Sequence, residues 1–257
     1  MKFTISRETL LKPLQLVSGV VERRQTLPIL SNLLIQSTGD SLNITATDQE
    51  VEIITSIKTK VDEPGEITIP ARKLLDICKT SPEGAQLTFK VDGDRARLLS
   101  ERSRFLLSTL PAADFPVTPD FDVIAEFEIS QKELKKLIDR TQFSMAQQDV
   151  RKYLNGLLIE VIDDMLVSVA TDGHRLSYCR IETKNVKSKS FQAIIPRKGI
   201  QELSRLLSDS DNVAKIKIGS NSIALELDDI KFTSKLIEGK FPDYERLILS
   251  NPSINVF

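Results

Sequence analysis

The feature that most constrains this chain is that it repeats itself. Ala46-Thr47-Asp48 returns as Ala170-Thr171-Asp172, and Leu33-Leu34-Ile35 as Leu157-Leu158-Ile159, each 124 residues on. Pro70-Ala71-Arg72-Lys73 returns as Pro196-Arg197-Lys198, and Phe115-Pro116 as Phe241-Pro242, each 126 residues on. Matches in one order at nearly one spacing mean a duplicated domain, because solenoid repeats run only about 20–50 residues. A length of 257 residues fits about two such domains.

Each repeat divides again. Helix signals begin near Ser6, Pro70, Ser130 and Pro196. Ser130-Gln131-Lys132-Glu133 has the form of a capping box, in which Ser and Glu satisfy free amides at a helix start. Leu134, Leu137 and Ile138 follow at helical spacing, as Leu10, Leu14 and Val17 do after Ser6. Pro70 and Pro196 suit helix starts, where a missing N–H costs little. These two helices are expected to stop near Ser81-Pro82-Glu83-Gly84 and Ser208-Asp209. Strands are expected at Met1 to Ile5, Leu42 to Thr45, Val51 to Ile57, Leu87 to Val91, Ile216 to Ile218 and Ile223 to Leu227. Asp92-Gly93-Asp94 and Gly219-Ser220-Asn221 read as turns between them. The fold class is α+β, with two helices per repeated domain packed on antiparallel sheets. The expected domains span residues 1–121 and 122–250, with a linker near Pro116 to Asp122.

The search for catalytic chemistry is mostly negative. His174 is the single histidine, and the chain carries no Walker loop, dinucleotide fingerprint or serine elbow. Asp163-Asp164 reads as a hairpin turn, and the Asp48 and Asp172 pair as a repeated structural turn rather than two metal sites. No metal or cofactor is expected. Cys78 and Cys179 occupy non-equivalent positions and read as reduced thiols. No segment approaches the roughly 18 continuous apolar residues of a membrane span, and the N-terminus lacks a signal-peptide core, so a cytoplasmic protein is expected.

Net charge is −1, from 35 basic and 36 acidic residues, which argues against a uniformly basic coat but not against charges sorted onto faces. The helices carry Arg72, Lys73 and Lys79; Lys132, Lys135, Lys136 and Arg140; and Arg197, Lys198 and Arg205. A solvated face accounts for them on sequence alone. The sharper reading is one curved surface facing phosphates. No aromatic stacking platform accompanies them, so duplex backbone suits them better than single-stranded bases.

Six segments carry a family resemblance: Met1-Lys2-Phe3-Thr4, Leu10-Leu11-Lys12-Pro13-Leu14, Thr26-Leu27-Pro28-Ile29-Leu30, Ser108-Thr109-Leu110-Pro111-Ala112-Ala113-Asp114-Phe115-Pro116, Ala170-Thr171-Asp172-Gly173-His174-Arg175-Leu176 and Phe241-Pro242-Asp243-Tyr244. Over essentially its whole length the chain resembles bacterial DNA polymerase III beta subunits, the sliding clamps, and the gamma-proteobacterial ones most. The resemblance implies the DNA-clamp fold, a non-catalytic processivity factor of the replicative polymerase, and a ring around duplex DNA with helices inside and sheets outside. Weak, exchangeable phosphate contacts suit sliding.

By resemblance, Arg24, Arg72, Gln148, Lys152 and Tyr153 approach DNA. Lys152 stands where relatives often carry Tyr, which makes that contact ionic. Leu154, Thr171, Gly173, His174, Arg175, Leu176, Pro242, Arg246 and Leu247 match a pocket for short peptide motifs of replicative and translesion polymerases, the clamp loader and mismatch-repair proteins. An apolar floor with a Gly that admits a peptide backbone makes physical sense of that set. Lys73, Arg102, Arg104, Phe105 and Leu107 match a ring interface along one edge of the first domain, with Phe105 and Leu107 expected as its exposed apolar side chains.

Family members usually have three domains and close as homodimers, whereas here Ile254-Asn255-Val256-Phe257 alternates like a strand opening, and residues 251–257 read as the start of a third repeat. A fragment lacking the third domain is the expectation, with a monomer in solution. A peptide-docking scaffold that does not encircle DNA is the alternative function, and a two-domain clamp closing as a trimer the alternative assembly.

Overall fold

The chain folds as two copies of one plan. The structure, a computed structural model, describes residues 1–21, 27–37, 39–162, 164–183 and 191–249. The first copy opens with β1 (Lys2–Ser6) and α1 (Arg7–Val17) and continues through β2 (Asn32–Ser37), β3 (Ser41–Thr47), β4 (Val51–Lys58), β5 (Val61–Glu63) and β6 (Gly65–Pro70). It closes with α2 (Ala71–Thr80), β7 (Gln86–Asp92), β8 (Arg95–Ser100) and β9 (Ser103–Ser108). The second copy runs β10 (Ala125–Ser130), α3 (Gln131–Thr141), β11 (Gly156–Ile162), β12 (Met165–Thr171), β13 (Leu176–Glu182) and β14 (Phe191–Pro196). Then come α4 (Arg197–Leu206), β15 (Val213–Ile218), β16 (Ser222–Leu227), β17 (Ile230–Lys235) and the short α5 (Glu245–Leu249). Arg24, Asp163 and residues 251–257, about which expectations were stated, lie outside the described residues.

The helices start as their sequences dictate. Ser6 and Ser130 cap α1 and α3, accepting from the amides of Thr9 and Glu133 at 3.2 Å each. Only this arm of the capping box forms. The Glu133 carboxylate accepts from the Ser130 hydroxyl (2.9 Å), not its amide. Helices α2 and α3 share one burial pattern: Leu74, Ile77 and Cys78 match Leu134, Leu137 and Ile138 on the buried stripe.

The sheets depart from the per-domain expectation. An eight-stranded antiparallel sheet, ordered β10-β15-β16-β17-β4-β3-β2-β6, runs across both repeats. Its joint is the β17–β4 ladder, with Phe232 opposite Ile53. The half-sheet of the first repeat, β5-β1-β7-β8-β9, and that of the second, β13-β12-β11-β14, stand at either end. One apolar core runs from Phe3 to Phe232 beneath the helices. No element's own pattern signals that β4 pairs with a strand from the other copy.

Side chains reinforce the joint. Arg205 of α4 donates to the carbonyls of Gln15 (3.0 Å) and Leu16 (2.6 Å) in the last turn of α1, where a cation meets the negative helix end. A Cβ on Gly19 would collide with the Arg205 guanidinium, so a larger residue there would push the Arg205 side chain aside. Lys198 pairs with Asp48 across the repeats. Bonds from a charged donor contribute about 1.5–3 kcal/mol, and less where solvent reaches them, as it does here. Arg205→Ala is therefore expected to lower stability by about 1–3 kcal/mol in denaturant unfolding, whereas Arg140→Ala, on an open helix face, changes it little.

Glu52, on β4, is 3% exposed and accepts from the Thr118 amide at 3.0 Å. Burial pushes its carboxyl above the usual 4.5. The folded chain thus holds this proton more readily than the unfolded one, and stability drains away as pH rises from 4.5 through the raised value. Glu52→Gln keeps the acceptor and removes the charge. It is expected to melt higher than the parent at pH 7 and show no gain at pH 4, by thermal scans at the two pH values.

Candidate nucleic-acid interface and peptide pocket

The helices form one row. Helix α1 packs on α2 and α3 on α4, while Arg205 links α4 to α1, giving the order α2, α1, α4, α3. The sheets cover one side of the row and leave the other open. On that open side α2 presents Arg72, Lys73 and Lys79, and α3 presents Lys132, Lys136 and Arg140, all exposed. None of these six side chains has a hydrogen-bonding or ionic partner among the described residues.

The other four cations expected on this surface, on α3 and α4, have partners within the fold, which corrects the sequence reading of them. Lys135 pairs with Asp139 at 3.0 Å, Arg197 donates to the Met145 carbonyl at 3.0 Å, and Lys198 and Arg205 hold the joint. Residues from the far repeat provide two of these four partnerships, so spacing along the helix carries no signal of them.

The loop bearing Gln148 and Lys152 is rigidly tied. The Asp149 amide donates to Asn155 Oδ1 (2.9 Å), and Asn155 Nδ2 donates back to the Asp149 carbonyl (2.8 Å). Arg151 clasps the Asp149 carboxylate at 2.9 Å and lowers its pKa to about 2. Gln148 has φ 59°, and both it and Lys152 are exposed. Tyr153 departs from them: it is half-buried against the outer-face cluster of Leu158, Val169 and Phe241, so its ring serves the core of that face.

Among the expected peptide-pocket residues, the turn from Thr171 to Leu176 is shaped by Asp172. Its Oδ1 accepts from the amides of His174 and Arg175 at 3.0 Å, as Asp48 Oδ1 does from Glu50 (2.9 Å) and Val51 (2.7 Å). The repeated Asp is thus a turn former in both copies. Gly173 has φ +90° and abuts the Arg151 guanidinium. Arg175 pairs with Asp172 and donates to the Phe143 carbonyl at 2.7 Å, leaving His174 exposed beside it. Leu176 is half-buried on the same outer cluster as Phe241 and Tyr244. Leu154 is buried, while Pro242, just before α5, and Arg246 and Leu247, within it, are exposed. Next to this group lies a cleft of about 370 Å³ lined by Met165, Val167, Tyr178, Arg180, Tyr244 and Ile248, among others. None of the nine expected residues lines it.

Strand β9 ends the first half-sheet. Lys73, Arg102 and Arg104 are exposed and Phe105 is half-buried. Leu107 corrects the expectation: it is 5% exposed, and Leu106 is the outward apolar residue at 54%. Side chains alternate across a strand, and the pairing of Leu107 with the buried Ala96 turns it inward. Leu99, beside Arg104, is the second exposed apolar residue of this face.

Neither cysteine offers a nucleophile. Both are free and buried, and burial pushes the Cys78 thiol up to about 12.

Comparison with known proteins follows this geometry closely. Family models of the DNA polymerase III beta subunit match here, the N-terminal domain over residues 1–119 and the central domain over residues 128–243. The sequence is 52% identical over 249 residues to the beta sliding clamp of Pseudomonas aeruginosa, covering 96% of this chain and 68% of that protein. It is 50% identical over 253 residues to the beta sliding clamp of Escherichia coli K12, covering 98% and 69%. The fold superposes on the crystal structure of the P. aeruginosa DNA polymerase III subunit beta with TM-score 0.93 at 52% identity, over 96% of this chain and 68% of that one. For the Caulobacter crescentus sliding clamp the TM-score is 0.91 at 39% identity, over 96% and 68%. A duplicated α+β unit with a continuous sheet backing a row of helices is a clamp architecture. The chain belongs to the DNA polymerase III beta subunit family, the beta sliding clamps, and so to a non-catalytic part of the replication machinery.

Proposed function

We propose that this chain holds duplex DNA against its open helix face, with Arg72, Lys73 and Lys79 on one side and Lys132, Lys136 and Arg140 on the other, assisted by Gln148 and Lys152. The observation that carries the reading is the row of four helices on which the six exposed cation side chains of α2 and α3 have no partner among the described residues, while Lys135, Arg197, Lys198 and Arg205 do. Cations without protein partners form loose, exchangeable contacts with phosphate, which is what movement along a duplex requires. Polymerases, the clamp loader and mismatch-repair proteins dock by short peptides between the Thr171–Leu176 turn and the Pro242–Leu247 segment, with His174, Arg175 and Leu176 on one wall and Pro242, Arg246 and Leu247 on the other. Strand β9 is the edge for pairing with another clamp subunit, through Arg104, Phe105 and the exposed Leu106.

Two titrations test the reading. Fluorescence anisotropy with two duplexes of unrelated sequence and one single strand is expected to give equal duplex affinities and weaker single-strand binding; a tenfold preference for one duplex would count against it. A labelled polymerase-derived peptide is expected to bind the parent chain and to weaken by roughly tenfold or more in His174→Ala plus Leu176→Ala, since a buried leucine contributes about 1.5–3 kcal/mol. Equal binding to both proteins would remove the pocket assignment.

A further inference from the structure

Each repeat lays a Phe-Pro strap over the outer face of its sheet, and each ties the strap down with a buried glutamate. The two ties differ in a way that separates the functions of the repeats. In the first, Phe115 packs on Ile29, Leu30 and Leu34, and the Thr118 amide donates to Glu52 on β4 at 3.0 Å. In the second, Phe241 and Tyr244 pack on Leu158, Val167 and Ile194. Tyr244 stands where Thr118 stood, 126 residues on. Its hydroxyl donates to Glu160 Oε2 at 2.7 Å, and Glu160 Oε1 accepts from Gln192 at 2.6 Å. Glu160 lies on β11 and is 7% exposed.

The register identifies what replaced the first anchor. Thr47 faces Glu52 across β3–β4, and Thr171 faces Leu176 across β12–β13. Leu176 therefore occupies the position of Glu52. The carboxylate has left this strand for β11, and a tyrosine long enough to reach it has replaced the threonine. The consequence is a half-buried β13 wall without a carboxylate, Leu176 and Tyr178, beside a strap held by its Tyr244 ring, which lies 6.0 Å from the Tyr178 ring. Pro242 and Leu247 flank the anchor on the strap and remain exposed.

We propose that Tyr244 and Glu160 are positioning residues that fix the strap at the height where Pro242 and Leu247 complete the peptide pocket with Leu176, and that moving this anchor is what makes the second repeat, not the first, the docking repeat. The inference rests on the pocket reading above. Removing the hydroxyl leaves a buried carboxylate oxygen without its donor, and the strap is the part free to rearrange. A glutamine at 160 retains an acceptor for that hydroxyl.

The test uses the full chain and the same labelled polymerase-derived peptide. Tyr244→Phe and Glu160→Leu are expected to weaken binding at least about fivefold, Glu160→Gln less than about twofold, and the Tyr244→Phe/Glu160→Leu pair no more than either alone, as for residues acting through one bond. Hydrogen exchange supplies a readout independent of the peptide. In Tyr244→Phe the amides of Leu247 and Ile248, which bond back to the Tyr244 carbonyl at 3.0 and 3.2 Å, are expected to exchange at least tenfold faster, with β11 and β12 unchanged. Unaltered affinity and unaltered exchange in Tyr244→Phe would overturn the anchor while leaving the pocket in place. No binding by the parent chain would instead overturn the pocket, and the anchor's role with it.

Discussion

Reversing Arg72, Lys132 and Lys136 to glutamate together is expected to reduce duplex affinity roughly 10²–10³-fold at about 0.1 M salt, because each phosphate contact contributes close to one log unit there. The three side chains lie on α2 and α3, at opposite ends of the helix row, and none has a partner among the described residues. Their replacement therefore removes attraction without breaking a contact, and the melting temperature is expected to stay close to that of the parent. Reversal of Lys135 is the informative contrast. It already pairs with Asp139 at 3.0 Å, so its loss is expected to cost less affinity than that of Lys136, one residue away. Equilibrium binding at fixed ionic strength with parallel thermal scans checks both statements. Equal losses for Lys135 and Lys136 would mean that the ion pair opens on DNA.

Phe232→Ala is expected to cost about 3–5 kcal/mol, the range for truncating a large buried aromatic. Phe232 is 0% exposed and sits in β17 opposite Ile53, where the two repeats share one sheet. The vacated space is walled by strands from both copies, so it collapses only if the joint itself shifts. At roughly 2–4 °C per kcal/mol for a chain of this size, the melting temperature falls by about 10 °C. Denaturant unfolding measures the loss, and a change below about 1 kcal/mol would show that the joint is not part of the cooperative core.

Much of this architecture is legible in the residues, and the exceptions share a cause. The four helix starts follow from local chemistry: Ser6 and Ser130 cap their helices, and Pro70 and Pro196 each stand immediately before one. The Asp48 and Asp172 turns are likewise local, since each carboxylate bonds amides two and three residues on. What the sequence hides is non-local. Nothing in Arg205 announces that its partners lie at Gln15 and Leu16. The inward turn of Leu107 depends on register against β8, since Ser103 to Leu107 contains apolar residues in consecutive positions and no clean alternation. The Glu160–Tyr244 bond joins residues 84 positions apart, and only the comparison of the two repeats gives it meaning.

The salt dependence of duplex affinity tests the central claim most directly. If about three phosphates are held by the helix face, log affinity falls with log salt at a slope of roughly −2.7, equally on duplexes of unrelated sequence. The Arg72, Lys132 and Lys136 reversal is expected to flatten that slope toward zero. An affinity that ignores salt, or that depends on the base sequence, would contradict the reading of this face as a sliding surface.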